Sequence, residues 1–135
     1  PVGAFVAGKK CCNSLVPGDH GTTYGGNPLV TSAVNAVFDI YEEENILENV
    51  KNVGAYLEEK LDELVNENKN IVLRRGKGLM QGLVLKTPVG DTINKAIEKG
   101  LLVISAAGNV LRLLPPLIIT KENVDEMINI LKECI

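Results

Sequence analysis

Apolar residues recur at three- and four-residue spacing across the middle of the chain (Ile46, Leu47, Val50, Val53, Leu57, Leu61, Leu64, Val65). That period puts one apolar stripe on a helix ending near Asn66. Shorter apolar runs follow. Residues 71–75 and 79–86 read as strands joined by Gly76-Lys77-Gly78, where glycine can supply unusual backbone angles, and so predict a hairpin. Residues 91–99 carry Ile93, Ala96 and Ile97 on one side with Gly100 just past the end, the pattern of a short helix closed by a glycine C-cap. Residues 101–105 and 110–114 read as two more strands about 106–109. Thr120 is placed to cap a last helix with Val124, Met127, Ile128 and Leu131 in one stripe.

The first 26 residues differ. They hold six of the thirteen glycines, with Pro1 and Pro17, and show no sustained period beyond a short apolar stretch at 2–7. Asn27-Pro28 then offers a helix cap followed by a proline at the first helical position, where a missing N–H costs nothing. In residues 29–39 small or apolar side chains occupy most faces (Val30, Ala33, Val34, Ala36, Val37, Phe38), which predicts a helix buried on several sides. From about residue 40 the order is helix, two strands, helix, two strands, helix: an α/β layer with a small sheet covered by helices.

With 135 residues, 45% hydrophobic and 23% charged, the chain fits one soluble globular domain. Seventeen acidic and fourteen basic residues are mixed along it for a net charge of −3, without the basic run that tracks a phosphate backbone. This excludes nucleic acid as an expected partner. The longest apolar stretches, 101–107 and 110–119, are too short or too broken by Gly and Pro to span a bilayer, so no membrane segment is expected. Cys11 and Cys12 are adjacent, poorly placed to bridge to each other and without zinc-ligand spacing, and Cys134 leaves an odd count. Free thiols in a cytoplasmic protein and no metal site are the expectation. The start at Pro1, without an initiator methionine, fits either a processed protein or part of a longer one.

Residues 21–26 place Thr22 and Thr23 in a glycine-rich turn before a helix, which offers hydroxyls and backbone N–H groups together. Two readings stand at this point: an ordinary loop, or a seat for an anion. The turn has neither the dinucleotide spacing nor the Gly-Lys-Ser/Thr ending of a phosphate-binding loop, which disfavours NAD and ATP. Arg112 sits in the apolar run 110–117. Its guanidinium either reaches solvent from a strand end or lines a cavity and meets an anion. His20, the single histidine, has no nucleophile or metal-ligand neighbour and reads as structural. Asn27 reads as a cap, Asp19 as a turn residue, and Arg74, Arg75 and Lys77 as a solvated basic turn.

The twelve residues from Gly18 to Leu29, Gly-Asp-His-Gly-Thr-Thr-Tyr-Gly-Gly-Asn-Pro-Leu, are similar to the G-x-H-G-[ST]-T-[FY]-G-G-N-P-L block of class III pyridoxal-phosphate-dependent aminotransferases. Pro1-Val2-Gly3-Ala4 resembles the segment after that family's cofactor lysine, Arg75-Gly76-Lys77-Gly78-Leu79-Met80 the entry to its small-domain hairpin, and Leu111-Arg112-Leu113-Leu114-Pro115-Pro116-Leu117 its R-x-x-P-P-L block. These matches run in the family's order from end to end.

The resemblance implies the small C-terminal domain of a fold-type-I transferase, residues 39–135, preceded by the end of the large domain at 1–38. It implies pyridoxal 5′-phosphate as cofactor and a homodimer with active sites at the subunit interface. The implied reaction moves an amino group between N2-acetylornithine and 2-oxoglutarate in arginine biosynthesis; ornithine, succinylornithine and 4-aminobutyrate are alternative donors. Carried over residue by residue, Thr23 would contact the cofactor phosphate of the partner subunit. Thr22 would lie nearer the substrate, and Arg112 would engage a substrate carboxylate or a glutamate gate. The lysine that carries the cofactor would lie upstream of Pro1, because Lys9 and Lys10 do not occupy its motif; the 135 residues alone would be inactive. A rival reading is a stand-alone binding or dimerisation module, since strand pairs alternating with helices also build regulatory domains.

Overall fold

Asn27 and Pro28 start the first helix of the computed structural model, which describes residues 2–135. Helix α1 spans Pro28–Glu43; the Asn27 side chain accepts the Val30 N–H and proline occupies the first turn. The chain divides into two compact units, the first ending at Glu44 and the second beginning at Asn45. Within the first unit α1 buries none of its residues, and Leu29 and Phe38 are 81% and 62% exposed. The expected burial on several sides is therefore not supplied inside this unit.

The second unit opens with Asn45 in a left-handed conformation, then α2 over Ile46–Glu67. Its stripe of Ile46, Val53, Leu57, Leu61 and Leu64 is buried as the spacing predicts, but Leu47 is exposed, one residue off the stripe. Strand β1 (Ile71–Lys77) pairs antiparallel with β2 (Met80–Leu85). Helix α3 covers Gly90–Glu98, β3 is Ile104–Ala106, β4 is Val110–Leu113, and α4 spans Lys121–Cys134. Thr120 caps α4 in a reciprocal box with Asn123, and Gly100 follows α3 with positive φ, as a C-cap glycine does.

The four strands form one antiparallel sheet in the order β1-β2-β4-β3. Side chains alternate across a strand, so Leu83, Leu111 and Leu113 face one way and join Leu57, Leu61, Leu64, Ala96, Val124, Ile128 and Leu131 of the helices in a single core. The opposite face carries no helix of this unit and leaves Leu73, Met80 and Ile104 exposed. This is the expected α/β layer, a small sheet covered by helices on one side.

Two boundaries differ from the sequence pattern. The hairpin turn is Gly78-Leu79; Gly76 and Lys77 belong to the strand. Gly78 takes a positive φ of +57° and Leu79 is buried in the core, so turn chemistry and packing together end the strand there. The expected strand at 101–105 is confined to Ile104–Ala106, since residues 101–103 have no ladder partner.

Candidate functional site

The turn before α1 is built by local hydrogen bonds. The Thr22 hydroxyl oxygen accepts the Gly25 N–H at 3.3 Å, and the Asn27 amide donates to the Tyr24 carbonyl at 2.7 Å. A Cβ on Gly25 would collide with the Thr22 methyl, so a side chain there would displace Thr22, and Gly26 has φ +66°. Asn27 takes the Val30 N–H and its carbonyl takes the Thr31 N–H, leaving the Leu29 N–H as the open donor of the first turn. Thr23 is exposed, and its hydroxyl has no protein partner among the described residues. Asp19 accepts the Val16 N–H at 2.9 Å and is a turn residue, as expected; His20 is exposed.

Arg112 lies on β4, one of the two central strands, opposite Gly82 on β2 and Ile104 on β3; Gly82 in turn faces Arg75 on β1. Leu111 and Leu113 are buried toward the helices, so the alternation sends Arg112 to the helix-free face. A hollow of about 630 Å³ opens there, lined by Arg75, Lys77 and Arg112 together with Met80, Gly82 and Val110, and no acidic residue lines it. Gly82 leaves the room: a Cβ at that position would stand 3.0 Å from a Val110 methyl. Among the described residues, Arg112 Nε is the one buried side-chain nitrogen or oxygen without a hydrogen-bond partner. Leaving such a donor unmade costs about 1–3 kcal/mol, more for a charged group, and no described residue supplies the acceptor.

Arg74 shows the contrast and corrects the reading of 74–77 as one solvated turn. It points to the helix face, donating to both Asp62 oxygens at 2.7 and 3.1 Å and to Gln81 Oε1 at 3.0 Å. The hydrogen bond from Arg74 holds the Asp62 carboxyl below its ordinary pKa, its charge adding to the effect and burial opposing it. Strand period alone separates Arg74 from Arg75. Sequence reasoning also missed Asn49, whose amide donates to the carbonyls of Leu117 and Ile119 at 2.8 and 3.2 Å and pins the Pro-Pro segment after Arg112 to α2. An asparagine on a helix surface gives no signal of such a distant partner.

Thr22 and Thr23 thus belong to the first unit and Arg112 to the second. Among the described residues no helix is long and apolar enough to cross a membrane, and no three His, Cys, Asp or Glu side chains gather as a metal ion would need.

A turn that ends in a capped, proline-started helix and an unpaired arginine on a bare sheet face both fall within one family match: the model for class-III aminotransferases covers residues 1–135, and the chain belongs to that family. Among individual proteins it is similar to the acetylornithine aminotransferase of Aquifex aeolicus, 48% identical over 98% of this chain and 34% of that protein. The acetylornithine aminotransferase of Bacillus subtilis is 42% identical over 100% of this chain and 35% of its own. Among solved structures, acetylornithine aminotransferase from Elizabethkingia anophelis superposes with a TM-score of 0.79 at 30% identity, over 90% of this chain and 31% of its own. Plasmodium falciparum ornithine delta-aminotransferase gives 0.80 at 36% identity, over 89% and 32%. The chain spans about a third of the length of the curated relatives it matches.

Proposed function

We propose that the chain is the C-terminal third of an aminotransferase that exchanges an amino group between N2-acetylornithine and 2-oxoglutarate with pyridoxal 5′-phosphate, in the cytoplasm and as a homodimer. In this reading residues 1–38 end the large domain and 39–135 form the small one, and the lysine that carries the cofactor lies in the part of the enzyme that precedes Pro1. The observation that carries it is Arg112: a guanidinium with a buried, unpaired Nε on a sheet face without acidic neighbours.

The residues fit the groups they would hold. A guanidinium fork suits a carboxylate, which both 2-oxoglutarate and the amino donor present. Met80, Val110 and Gly82 around it keep the surroundings apolar, which strengthens that ion pair relative to water. The Thr23 hydroxyl is open to donate to the cofactor phosphate. Thr22 already accepts from Gly25, and its own proton stays available to a second acceptor on the substrate side. Bound pyridoxal phosphate supplies the electron sink for the transfer, and the protein supplies orientation and charge.

Ornithine is the second reading for the donor, favoured by the likeness to an ornithine aminotransferase of known structure. The test is a steady-state assay of the full-length protein carrying these residues, with each donor and 2-oxoglutarate. The expected result is a higher kcat/KM for N2-acetylornithine, and a KM for 2-oxoglutarate raised about 30- to 150-fold in Arg112→Met, matching the roughly 2–3 kcal/mol of a hydrogen bond to a charged group. Preference for ornithine would reassign the donor. An unchanged KM would remove Arg112 from the site, and no transamination with either donor would return the stand-alone module.

A further inference from the structure

We propose that Cys11 and Cys12 form a vicinal dithiol site that chelates trivalent organoarsenic compounds. Both thiols are exposed, whereas Cys134, the third cysteine, is buried at 2% exposure. The two lie in a turn fixed on both sides of Cys11: its N–H donates to the Gly8 carbonyl at 2.9 Å, and its carbonyl accepts the Ser14 N–H at 3.0 Å. The Cys12 thiol donates only weak bonds, to the Lys9 carbonyl at 3.3 Å and to Asn13 Oδ1 at 3.7 Å. Nothing in the turn competes strongly for either sulfur.

Geometry decides which chemistry such a pair takes. Adjacent Cα atoms stand about 3.8 Å apart across a trans peptide, and none of the described peptide bonds is cis. Disulfides ordinarily need Cα atoms roughly 4.4–6.8 Å apart, so a direct Cys11–Cys12 bridge is strained and easily reduced. A bridging atom removes that conflict, because the two sulfurs then bond to the ligand and not to each other. Soft thiolates select soft, thiophilic centres. Among the described residues no third His, Cys, Asp or Glu joins the pair, which disfavours tetrahedral zinc. A mono-organoarsenic(III) centre needs two thiols and no more. With phenylarsine oxide the step is balanced and redox-neutral: two As–S bonds form, the As=O bond breaks, and the two thiol protons leave with the oxygen as one water while arsenic stays trivalent.

The second thiol bonds intramolecularly once the first has reacted, which adds roughly 100-fold or more in avidity over a single thiol. The test is native mass spectrometry of the reduced chain titrated with phenylarsine oxide, alongside Cys11→Ser, Cys12→Ser and Cys134→Ala. The exposed positions make Cys11→Ser and Cys12→Ser harmless to folding, which circular dichroism checks. The expected result is one adduct that withstands excess 2-mercaptoethanol, is stripped by 1,2-ethanedithiol, survives in Cys134→Ala and weakens at least about 100-fold in each exposed-site variant. An adduct equally weak in the parent chain and the Cys11 and Cys12 variants, one that tracks Cys134, or a stable Cys11–Cys12 disulfide that blocks labelling would each overturn the site.

Discussion

Two neighbouring kinds of arginine behave oppositely in this chain, and the difference is measurable. Arg74 has its donors matched by Asp62 and Gln81, and Gln81, itself 1% exposed, depends on Arg74 for its oxygen. Arg74→Met is expected to cost about 2 kcal/mol in urea unfolding, because it strands a buried acceptor. Arg112→Met removes an unpaired buried donor that shares its hollow with Arg75 and Lys77, and is expected to leave stability unchanged or raise it by up to about 1 kcal/mol. A comparable loss from both would mean that Arg112 is a folding residue. The Asp62 ion pair adds a pH signature. Its carboxyl is lowered by the hydrogen bond from Arg74, so its stabilisation is fully present above the unfolded carboxylate pKa of about 4 and is lost as pH falls through the lower folded value. Asp62→Asn should be less stable than the parent at neutral pH and converge with it in acid, by under about 1 kcal/mol because the pair is half in solvent. Parallel curves at all pH values would remove the pair from the acid limb.

At the scale of elements, what was legible in the sequence was local. The Asn27-Pro28 start, the Thr120 cap and the Gly100 stop are each set by one or two residues acting on their own backbone, and each falls where the pattern puts it. Thr120→Ala should therefore cost about 1 kcal/mol, read as a shift in urea midpoint without change in slope. What was not legible depended on distant partners: Leu79 buries itself and moves the hairpin turn, Arg74 reaches α2, and Asn49 reaches the Pro-Pro segment. Gly54 is of this second kind. It lies inside α2, where replacing glycine by alanine ordinarily gains about 1 kcal/mol, yet a Cβ there would stand 3.1 Å from Gly78 Cα in the hairpin turn. Backbone cannot yield as a side chain does, and overpacking of this sort costs about 1–3 kcal/mol. Gly54→Ala should be net destabilising, and a rise in midpoint would show that α2 and the turn can separate.

For the whole molecule, the uneven distribution of burial is the feature that sequence pattern signalled without resolving. Residues 29–39 read as a helix buried on several sides, and the glycine-rich turn 21–26 as either an ordinary loop or the seat of an anion, but no described residue of the first unit reaches the interior. The helix keeps Leu29, Val37 and Phe38 exposed, and contiguous exposed apolar residues of this kind call for a cover. The proposed parent enzyme, three times longer, would supply one. The second unit needs none for its stability, because every member of the hydrophobic core from Val53 to Cys134 belongs to it. A polypeptide of residues 45–135 is therefore expected to unfold cooperatively with the same urea midpoint as the 135-residue chain, while limited proteolysis of the longer chain cuts first in the glycine-rich residues 2–26. A lower midpoint for residues 45–135 would show that the first unit contributes packing of its own, and would move the folding boundary upstream of Asn45.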